Sequence, residues 1–319
     1  MSKIFITRRI PEIGINLLKE KGYDVSVGPE GEISKEELLE GVKNTDAILS
    51  VLTEKIDGEI MDAAGEQLKI VANYAVGYNN INIDEAKKRN IIITNTPDVL
   101  NDSVSDHAIA MIFAISRRIV EADKYTREGK YKAWGPELFL GGDITGKTLG
   151  IIGFGRIGST VALKMKKGFD MKILYHDIAR NEELEKEIGA EFKELDDLLK
   201  ESDFISIHTA LTEETNHLID AERLKLIKPN AYLINTSRGP VVDEAALIEV
   251  LKENKIAGAA LDVFEKEPEL MPGLTELENI IITPHIASAT KDTRNKMAEM
   301  AANNIIAVLE GGEPLNPVK

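Results

Sequence analysis

The chain has 319 residues, of which 43% are hydrophobic, and this length favours about two domains. Its 54 acidic residues outnumber 39 basic ones, and the net charge of -15 argues against nucleic acid or an anionic membrane as a partner, because both bind positive surfaces. The absence of cysteine excludes disulfides, thiolate nucleophiles and Cys-ligated metal centres. No apolar run reaches the length of a signal peptide or membrane span, so we expect a cytoplasmic protein.

The first 99 residues alternate between short apolar runs and helical patterns. The apolar runs, which predict strands, are KIFIT, YDVSV, DAILSV, KIVAN and III. Helices are predicted from Pro11, from Ser34, near Asp57 and from Asn82, and Ser34 forms a capping box with Glu37. Strands that alternate with helices predict a parallel sheet with helices on both faces.

Two loops of this region follow predicted strands. Leu52 and Thr53 come after DAILSV, and AVGYNN at 75–80 comes after KIVAN. Open parallel sheets bind ligands at the carboxyl ends of their strands, so both loops are candidates for substrate contact. Gly77 offers a backbone N–H with no side chain in the way. Spacing alone describes a plain turn there equally well.

A single long helix is predicted at about Asp102–Arg127, with apolar residues along one face. Its length would allow it to bridge two domains. The loop at 131–146 that follows contains the only tryptophan, Trp134. An exposed aromatic loop indicates packing or a subunit contact more often than a substrate site.

Residues 148–177 carry the clearest motif of the chain. An apolar run at 148–152 leads into GFGRIG at 153–158, and the helical pattern that follows is predicted to end at Gly168. The first glycine of the motif permits a tight turn, the second lets the backbone approach a pyrophosphate, and the third lets the helix lie close to the strand. A bare motif would be weak, but this one stands between a strand and a helix and therefore predicts an anion-binding turn.

A second strand in this motif ends at Asp177, 19 residues after Gly158. This is close to the spacing expected for the acid that hydrogen-bonds a ribose 2′-hydroxyl. The carboxylate favours NAD over NADP because it would repel a 2′-phosphate. Arg180 lies nearby and could partly accommodate that phosphate.

Beyond Asp177 the alternation of strands and helices continues. The later strands are predicted at DFISIHT, AYLINT, GAALDV and NIIIT, which gives six or seven strands, the size of a complete dinucleotide-binding domain. A last helix at about 291–310 is expected to return to the first domain. We therefore predict a discontinuous substrate-binding domain, 1–99 plus 291–319, and a dinucleotide-binding domain, 100–290.

Three charged residues stand at predicted strand ends of the second domain. Arg238 follows AYLINTS, Glu267 follows GAALDVF, and His285 follows Thr283-Pro284. Arginine binds a carboxylate through two parallel hydrogen bonds, and a glutamate beside a histidine favours the imidazolium, the form that donates a proton. Together they suggest reduction of a 2-keto acid, although each alone is more often a surface ion-pair partner. The histidines at 107, 176 and 217 are interpreted as structural, and His208 as a neighbour of the cofactor.

Several motifs in order resemble those of the D-isomer-specific 2-hydroxyacid dehydrogenases, and within that family the glyoxylate reductase / hydroxypyruvate reductase branch. The motifs are TRRIPE at 7–12, NYAVGYNNIN at 73–82, GKTLGIIGFGRIG at 146–158, LINTSRGPVVDEAAL at 233–247, LDVFEKEP at 261–268 and TPHIASAT at 283–290. The resemblance implies two doubly wound parallel-sheet domains, a Rossmann NAD-binding domain and a smaller flavodoxin-like substrate domain.

The resemblance also implies roles for individual residues. Arg238 would orient the substrate, His285 would act as the acid-base with Glu267 as its charge partner, and the backbone amides of Val76 and Gly77 would hold the substrate carboxylate. The implied cofactor-binding residues are Gly153, Gly155, Arg156, Ile157, Gly158, Asp177, Thr236 and Asp262, with Asp262 near the nicotinamide carboxamide. No metal site is expected. A homodimer is expected from the resemblance, the helix at 102–127 and the Trp134 loop.

Other activities of related proteins stay open from the sequence. D-lactate dehydrogenase and D-3-phosphoglycerate dehydrogenase are alternative enzymes, although the latter needs a phosphate site and commonly a C-terminal regulatory domain. A corepressor that senses NAD and binds peptide partners is an alternative from a different class.

Overall fold

The computed structural model describes residues 1–318, which form two α/β units with one parallel sheet each. Unit 1 comprises Met1–Leu100 and Ala289–Lys319, and unit 2 comprises Asn101–Ser288. The fold class predicted from the sequence, two doubly wound parallel-sheet domains, is confirmed. Of the helices within residues 1–318, none is both long enough and apolar enough to cross a membrane.

Unit 1 contains a five-stranded parallel sheet of order β2-β1-β3-β4-β5, the flavodoxin-like order. Its strands are β1 (Lys3–Ile6), β2 (Asp24–Val27), β3 (Ala47–Ser50), β4 (Ile70–Asn73) and β5 (Ile92–Thr94). Its helices are α1 (Glu12–Glu20), α2 (Lys35–Gly41), α3 (Gly58–Ala64), α4 (Ile83–Lys88) and α12 (Lys291–Leu309). Every residue of β3 and β4 is buried, as expected for strands covered on both faces.

The sequence predicts two local features of unit 1, a capping box and the return of the last helix. Ser34 accepts a hydrogen bond from the Glu37 N–H, and the Glu37 side chain accepts one from the Ser34 N–H, so α2 begins with a capping box. The predicted last helix, α12, packs against α1 and β4. The Tyr74 hydroxyl, just after β4, donates to the Arg294 carbonyl oxygen at 2.8 Å.

Unit 2 contains a seven-stranded parallel sheet of order β12-β11-β10-β9-β6-β7-β8. Its strands are β6 (Thr148–Ile152), β7 (Lys172–His176), β8 (Ala190–Phe192), β9 (Phe204–Ile207), β10 (Tyr232–Asn235), β11 (Gly258–Leu261) and β12 (Ile280–Ile282). Its helices are α5 (Asn101–Ser116), α6 (Ile119–Arg127), α7 (Arg156–Phe169), α8 (Glu182–Ile188), α9 (Leu195–Glu201), α10 (Ala221–Leu224) and α11 (Glu244–Lys252), with short 3-10 helices at Gly239–Val241 and Leu274–Glu276. The strand order reverses beside β6, because β7 and β8 lie on one side of it and β9 to β12 lie on the other. Sheets of this kind bind dinucleotides at such a point.

The prediction of one long helix at 102–127 is wrong. Two helices, α5 and α6, occupy this segment, because Arg118 adopts a left-handed conformation with φ of 52°. The Ser116 carbonyl oxygen accepts a hydrogen bond from the Gly142 N–H at 2.9 Å rather than continuing the helical pattern. The helical periodicity of the apolar residues continues across this break, so the sequence pattern does not reveal the break.

The predicted end of α7 is also wrong, by a small margin. Gly168 lies inside the helix, which continues to Phe169 and ends where Asp170 turns left-handed at φ of 48°. The Asp170 N–H donates to the Lys166 carbonyl oxygen at 3.1 Å, which closes the last turn. Glycine is the usual residue at this position, but an aspartate tolerates it here.

Candidate active site

The glycine-rich turn joins β6 to α7 at the carboxyl edge of the unit 2 sheet. Gly153 has a φ of 90°, and a Cβ on it would lie 2.7 Å from backbone atoms of His208 and Thr209. A Cβ on Gly158 would lie 2.1 Å from the Gly153 carbonyl oxygen. Open space surrounds the position that a Gly155 side chain would fill. The turn therefore leaves a cradle of backbone N–H groups at the start of a 14-residue helix, which suits a pyrophosphate.

The Asp177 carboxylate lies directly after β7 and is held against this turn. One oxygen accepts from the Phe154 N–H at 2.6 Å, and the other accepts from the Ile178 N–H at 2.7 Å. Arg180, which could have met a 2′-phosphate, instead pairs bidentately with Glu185 at 2.7 and 3.0 Å. The Arg180 and Tyr175 side chains lower the pKa of Glu185 to about 2, so this pair is ionised at neutral pH.

Two further polar residues follow the central strands. Thr236, after β10, is buried, and its hydroxyl has no hydrogen-bond partner within residues 1–318. A bound cofactor could supply that partner, which fits the predicted cofactor-binding role. His208, after β9, contacts the Ser206 hydroxyl through Nε2 at 2.8 Å, and burial lowers its pKa to about 4. His208 is thus neutral at pH 7 and is a poor proton donor.

Arg238 lies three residues after the end of β10, in a turn built by the buried Asn235. The Asn235 side chain donates to the Arg238 carbonyl oxygen at 2.9 Å and accepts from the Ser237 N–H and hydroxyl. Burial lowers the pKa of the Arg238 guanidinium, and the nearby Glu267 carboxylate opposes this effect. The site therefore holds a partly desolvated cation, which binds an anion more strongly than a fully exposed one.

His285 and Glu267 form a hydrogen bond, with 2.8 Å between His285 Nδ1 and Glu267 Oε2. The second carboxylate oxygen of Glu267 accepts from the Phe264 N–H at 3.0 Å. Each side chain keeps about a quarter of its surface exposed, 23% for His285 and 24% for Glu267. With Nδ1 committed to Glu267, the remaining nitrogen, Nε2, is the one that can exchange a proton with a ligand.

The fully buried Asp262 holds the loop that carries His285. Its carboxylate accepts hydrogen bonds from the Thr283 hydroxyl at 2.5 Å and from the N–H groups of Ile286 and Ala287 at 2.9 and 2.8 Å. His107 Nε2 lies 3.5 Å from the same carboxylate. Burial raises the pKa of Asp262, but these donors outweigh burial and lower it overall, so the group is an anion. With no exposed surface, Asp262 supports the loop, and its contact with the carboxamide stays a prediction.

The three candidate catalytic residues thus follow three neighbouring strands. β10, β11 and β12 pair in parallel register, with Asn235 beside Leu261 and Leu261 beside Ile282. Arg238, Glu267 and His285 are therefore brought to one edge of the sheet, the same edge as the glycine-rich turn and Asp177. An acid-base pair beside a cation and a dinucleotide cradle is suited to hydride transfer coupled to proton transfer.

The predicted carboxylate-binding loop belongs to unit 1 and follows β4. The Val76 carbonyl oxygen accepts from the Asn95 side chain at 2.8 Å, and the Gly77 carbonyl oxygen accepts from the Asn73 side chain at 2.9 Å. In a trans peptide the N–H points opposite to the carbonyl, so the first bond fixes the direction of the Gly77 N–H. The structure orients this loop, and its contact with a substrate stays a prediction.

A model of the family described as D-isomer specific 2-hydroxyacid dehydrogenase, NAD binding domain, matches residues 109–287. The chain belongs to this family. Unit 2 is accordingly the NAD(P)-binding domain of a 2-hydroxyacid dehydrogenase, and the enzyme class expected from the resemblance is confirmed.

Named relatives match nearly the whole dehydrogenase chain. A glyoxylate reductase of Thermococcus onnurineus is 53% identical over 317 residues, which are 98% of this chain and 94% of the relative. A glyoxylate reductase of Pyrococcus furiosus is 51% identical over the same shares. A Thermus thermophilus structure with 42% identity superposes with a TM-score of 0.94 and covers 99% of this chain and 100% of its own. A glyoxylate reductase from Paecilomyes thermophila has a TM-score of 0.87, 31% identity, and coverage of 99% and 98%.

Sequence reasoning missed several residues that hold this site together. They are Asn235 beneath Arg238, the His107 and Thr283 contacts of Asp262, and a pair of glutamates, Glu244 and Glu265. Asn235 could have been noticed as a short polar residue at a strand end. The other contacts join residues more than 20 positions apart, and neither periodicity nor spacing reports them.

Proposed function

We propose that this dehydrogenase reduces glyoxylate, and hydroxypyruvate as a close analogue, to the corresponding 2-hydroxy acid with NADH as the preferred cofactor. The observation that carries the proposal is the His285–Glu267 pair at the same sheet edge as Arg238, in a chain whose relatives are named glyoxylate reductases. The small substrate is anionic, which suits a partly buried arginine in an otherwise acidic protein.

Each side chain has one role in the proposed reaction. When bound, the dihydronicotinamide supplies the hydride that reduces C2 of the keto acid. Arg238 holds the 2-keto acid through its guanidinium, and His285 Nε2 gives its proton to the carbonyl oxygen as that oxygen gains charge. Glu267 keeps Nδ1 occupied and stabilises the imidazolium. Val76 and Gly77 are proposed to bind the substrate carboxylate through their backbone.

The NADH preference rests on two features beside β7. The Asp177 carboxylate stands at the end of the strand, where a 2′-phosphate would meet like charge. Arg180, the nearest candidate to neutralise that phosphate, is engaged with Glu185. Arg180 could bind a 2′-phosphate only by breaking its bidentate ion pair with Glu185. Both features therefore favour NADH over NADPH.

A homodimer is proposed through the α6 and Trp134 surface of unit 2. Ile119, Val120, Trp134 and Leu140 are 52%, 53%, 78% and 65% exposed, which is unusual for large apolar side chains clustered in one segment of sequence. Sedimentation should give twice the chain mass of 35.2 kDa, and Trp134→Glu should shift the protein toward the monomer. A wild-type monomer in dilute buffer would refute this proposal. The cytoplasmic location stays a prediction.

The test of the activity is NADH oxidation with a panel of glyoxylate, hydroxypyruvate, pyruvate and 3-phosphohydroxypyruvate. We expect the highest kcat/KM with glyoxylate or hydroxypyruvate, and a fall in kcat of about 100- to 10,000-fold in His285→Ala, the usual range for a positioned acid-base group. NADH binding serves as the control, because the glycine-rich turn lies on another strand and should bind the cofactor in His285→Ala as in the wild type. Near wild-type turnover in His285→Ala, or no turnover of any keto acid, would contradict the proposal.

A further inference from the structure

Two glutamates outside the candidate catalytic set, Glu244 and Glu265, bind each other's backbone. The Glu244 N–H donates to the Glu265 side chain at 2.8 Å, and the Glu265 N–H donates to the Glu244 side chain at 2.8 Å. Glu244 is the first residue of α11, and only 2% of its surface is exposed. This reciprocal pair, here called the glutamate clasp, spans 21 residues of sequence and joins two loops.

The two joined loops are those that carry Arg238 and Glu267. Arg238 precedes the 3-10 helix Gly239–Val241, which leads into α11, while Glu265 lies two residues before Glu267. The loops also touch directly, since a Cβ on Gly239 would lie 1.9 Å from the Phe264 carbonyl carbon. The clasp therefore lies beside a backbone contact that a side chain at position 239 would block.

The N–H group that Glu244 binds is next along the chain to the N–H group that binds the Glu267 carboxylate. The Phe264 N–H holds the Glu267 carboxylate at 3.0 Å, and the next N–H along the chain, that of Glu265, is held by Glu244. Glu267 in turn contacts His285. A displacement of the Phe264–Glu265 backbone would therefore change the position of Glu267 against both His285 and Arg238.

We propose that Glu244 and Glu265 are positioning residues, which fix Arg238 relative to the Glu267–His285 pair. This inference rests on the proposed reduction of a 2-keto acid, because it assigns the two loops to one reaction. Small displacements suffice for a large effect, since a misplacement of about 1 Å away from the reacting atoms can cost about 100-fold in rate.

The charges around the clasp add to this assignment. Burial raises the pKa of Glu244, the Glu265 N–H opposes that effect, and the neighbouring carboxylates of Glu265 and Glu267 raise the pKa further. His217 Nε2 lies 3.3 Å from Glu265 Oε2 and supplies a partner on the other side. The Glu244 side chain therefore acts through its acceptor oxygen more than through its charge, and a neutral amide of the same shape can take its place.

The test compares Glu244→Ala, Glu244→Gln and Glu249→Ala. The alanine variant at 244 loses the acceptor for the Glu265 N–H, and glutamine keeps an acceptor oxygen. Glu249 is an exposed glutamate of the same helix, paired with Lys252. We expect Glu244→Ala to lower kcat for glyoxylate about 10- to 100-fold and raise KM, with glutamine recovering most of the loss. The NADH dissociation constant should stay within about twofold, because the glycine-rich turn lies on another strand.

A structural role alone would lower Tm but leave the pH profile of kcat/KM in place. We expect the alkaline limb in Glu244→Ala to move to lower pH when assayed well below its Tm, because a displaced Glu267 would stabilise the His285 imidazolium less. A variant with a lowered Tm and unchanged kcat, KM and pH profile would overturn the proposal. If the wild type reduces no keto acid, the proposed function fails separately. Amide exchange at Phe264 then decides, because faster exchange in Glu244→Ala supports the clasp and unchanged exchange refutes it.

Discussion

Glu267→Gln is the most direct test of how the acid-base pair works. Both oxygens of the Glu267 carboxylate accept hydrogen bonds, one from the Phe264 N–H at 3.0 Å and one from His285 Nδ1 at 2.8 Å. Glutamine has the same shape but offers one acceptor oxygen and one amino group that can only donate. It can satisfy the Phe264 N–H or the imidazolium, and it carries no charge for either.

The magnitude follows from the bond that is lost. A hydrogen bond to a charged group contributes about 1.5–3 kcal/mol, and one pH unit of proton affinity corresponds to about 1.4 kcal/mol. Reduction requires the imidazolium, which loses its proton more readily without the carboxylate. The alkaline limb of the reduction profile should therefore move to lower pH by about 1 to 2 units, while NADH binding stays intact.

The assay is the pH dependence of kcat/KM for glyoxylate at fixed NADH, with the Michaelis constant for NADH measured in parallel. Glu269→Gln is the matched control, because this exposed glutamate lies two residues beyond Glu267 in the same loop. An unchanged limb in Glu267→Gln, or an equal shift in Glu269→Gln, would show that Glu267 does not serve the histidine in this way.

Three further predictions concern other parts of unit 2. Arg238→Lys should raise KM for glyoxylate and lower kcat, with kcat/KM about 10- to 100-fold lower, because lysine cannot reproduce the bidentate contact. The control Arg127→Lys should keep wild-type kinetics, and equal kinetics in both variants would refute the substrate-binding role of Arg238. Asp177→Ala should lower the ratio of kcat/KM for NADH over NADPH by about tenfold, because it removes a repulsion of the 2′-phosphate worth about 1.4 kcal/mol. The control Asp197→Ala should leave this ratio unchanged. A wild type that favours NADPH would disprove the reasoning. His208 has a pKa of about 4 in the folded chain against 6.5 ordinarily, so the unfolded chain gains its proton first and the free energy of unfolding should fall between pH 6.5 and 4, by at most about 3 kcal/mol. His208→Asn should show a shallower fall in Tm over that range, and parallel curves would refute the assignment.

Much of the site could be predicted because it depends on single positions in the sequence. The glycine-rich turn and Asp177 were recognisable because a strand, a helix and a fixed spacing surround them, and the structure has all three. Local patterns also predict that Arg238, Glu267 and His285 lie at strand ends. That their three strands are neighbours depends on sheet order, which the sequence does not state outside the family resemblance.

The remainder depends on contacts that leave no local pattern. The break at Arg118 arises because the Gly142 N–H takes the Ser116 carbonyl, a partner 26 residues away. The clasp pairs glutamates that look like ordinary surface acids of a helix start and a loop. Apolar periodicity reports which side of an element is buried, and it carries no information on which buried polar groups meet.

The return of α12 to unit 1 has a consequence for the order in which the chain matures on the ribosome. The helix that packs on α1 and β4 is translated only after the whole of unit 2 has been made. Unit 2 is continuous and can form its sheet during elongation, while the α1 and β4 surfaces of the amino-terminal segment, Met1–Leu100, stay uncovered. Chaperones bind apolar surfaces that stay exposed on nascent chains, and slow synthesis of residues 101–288 would prolong the exposure of these surfaces.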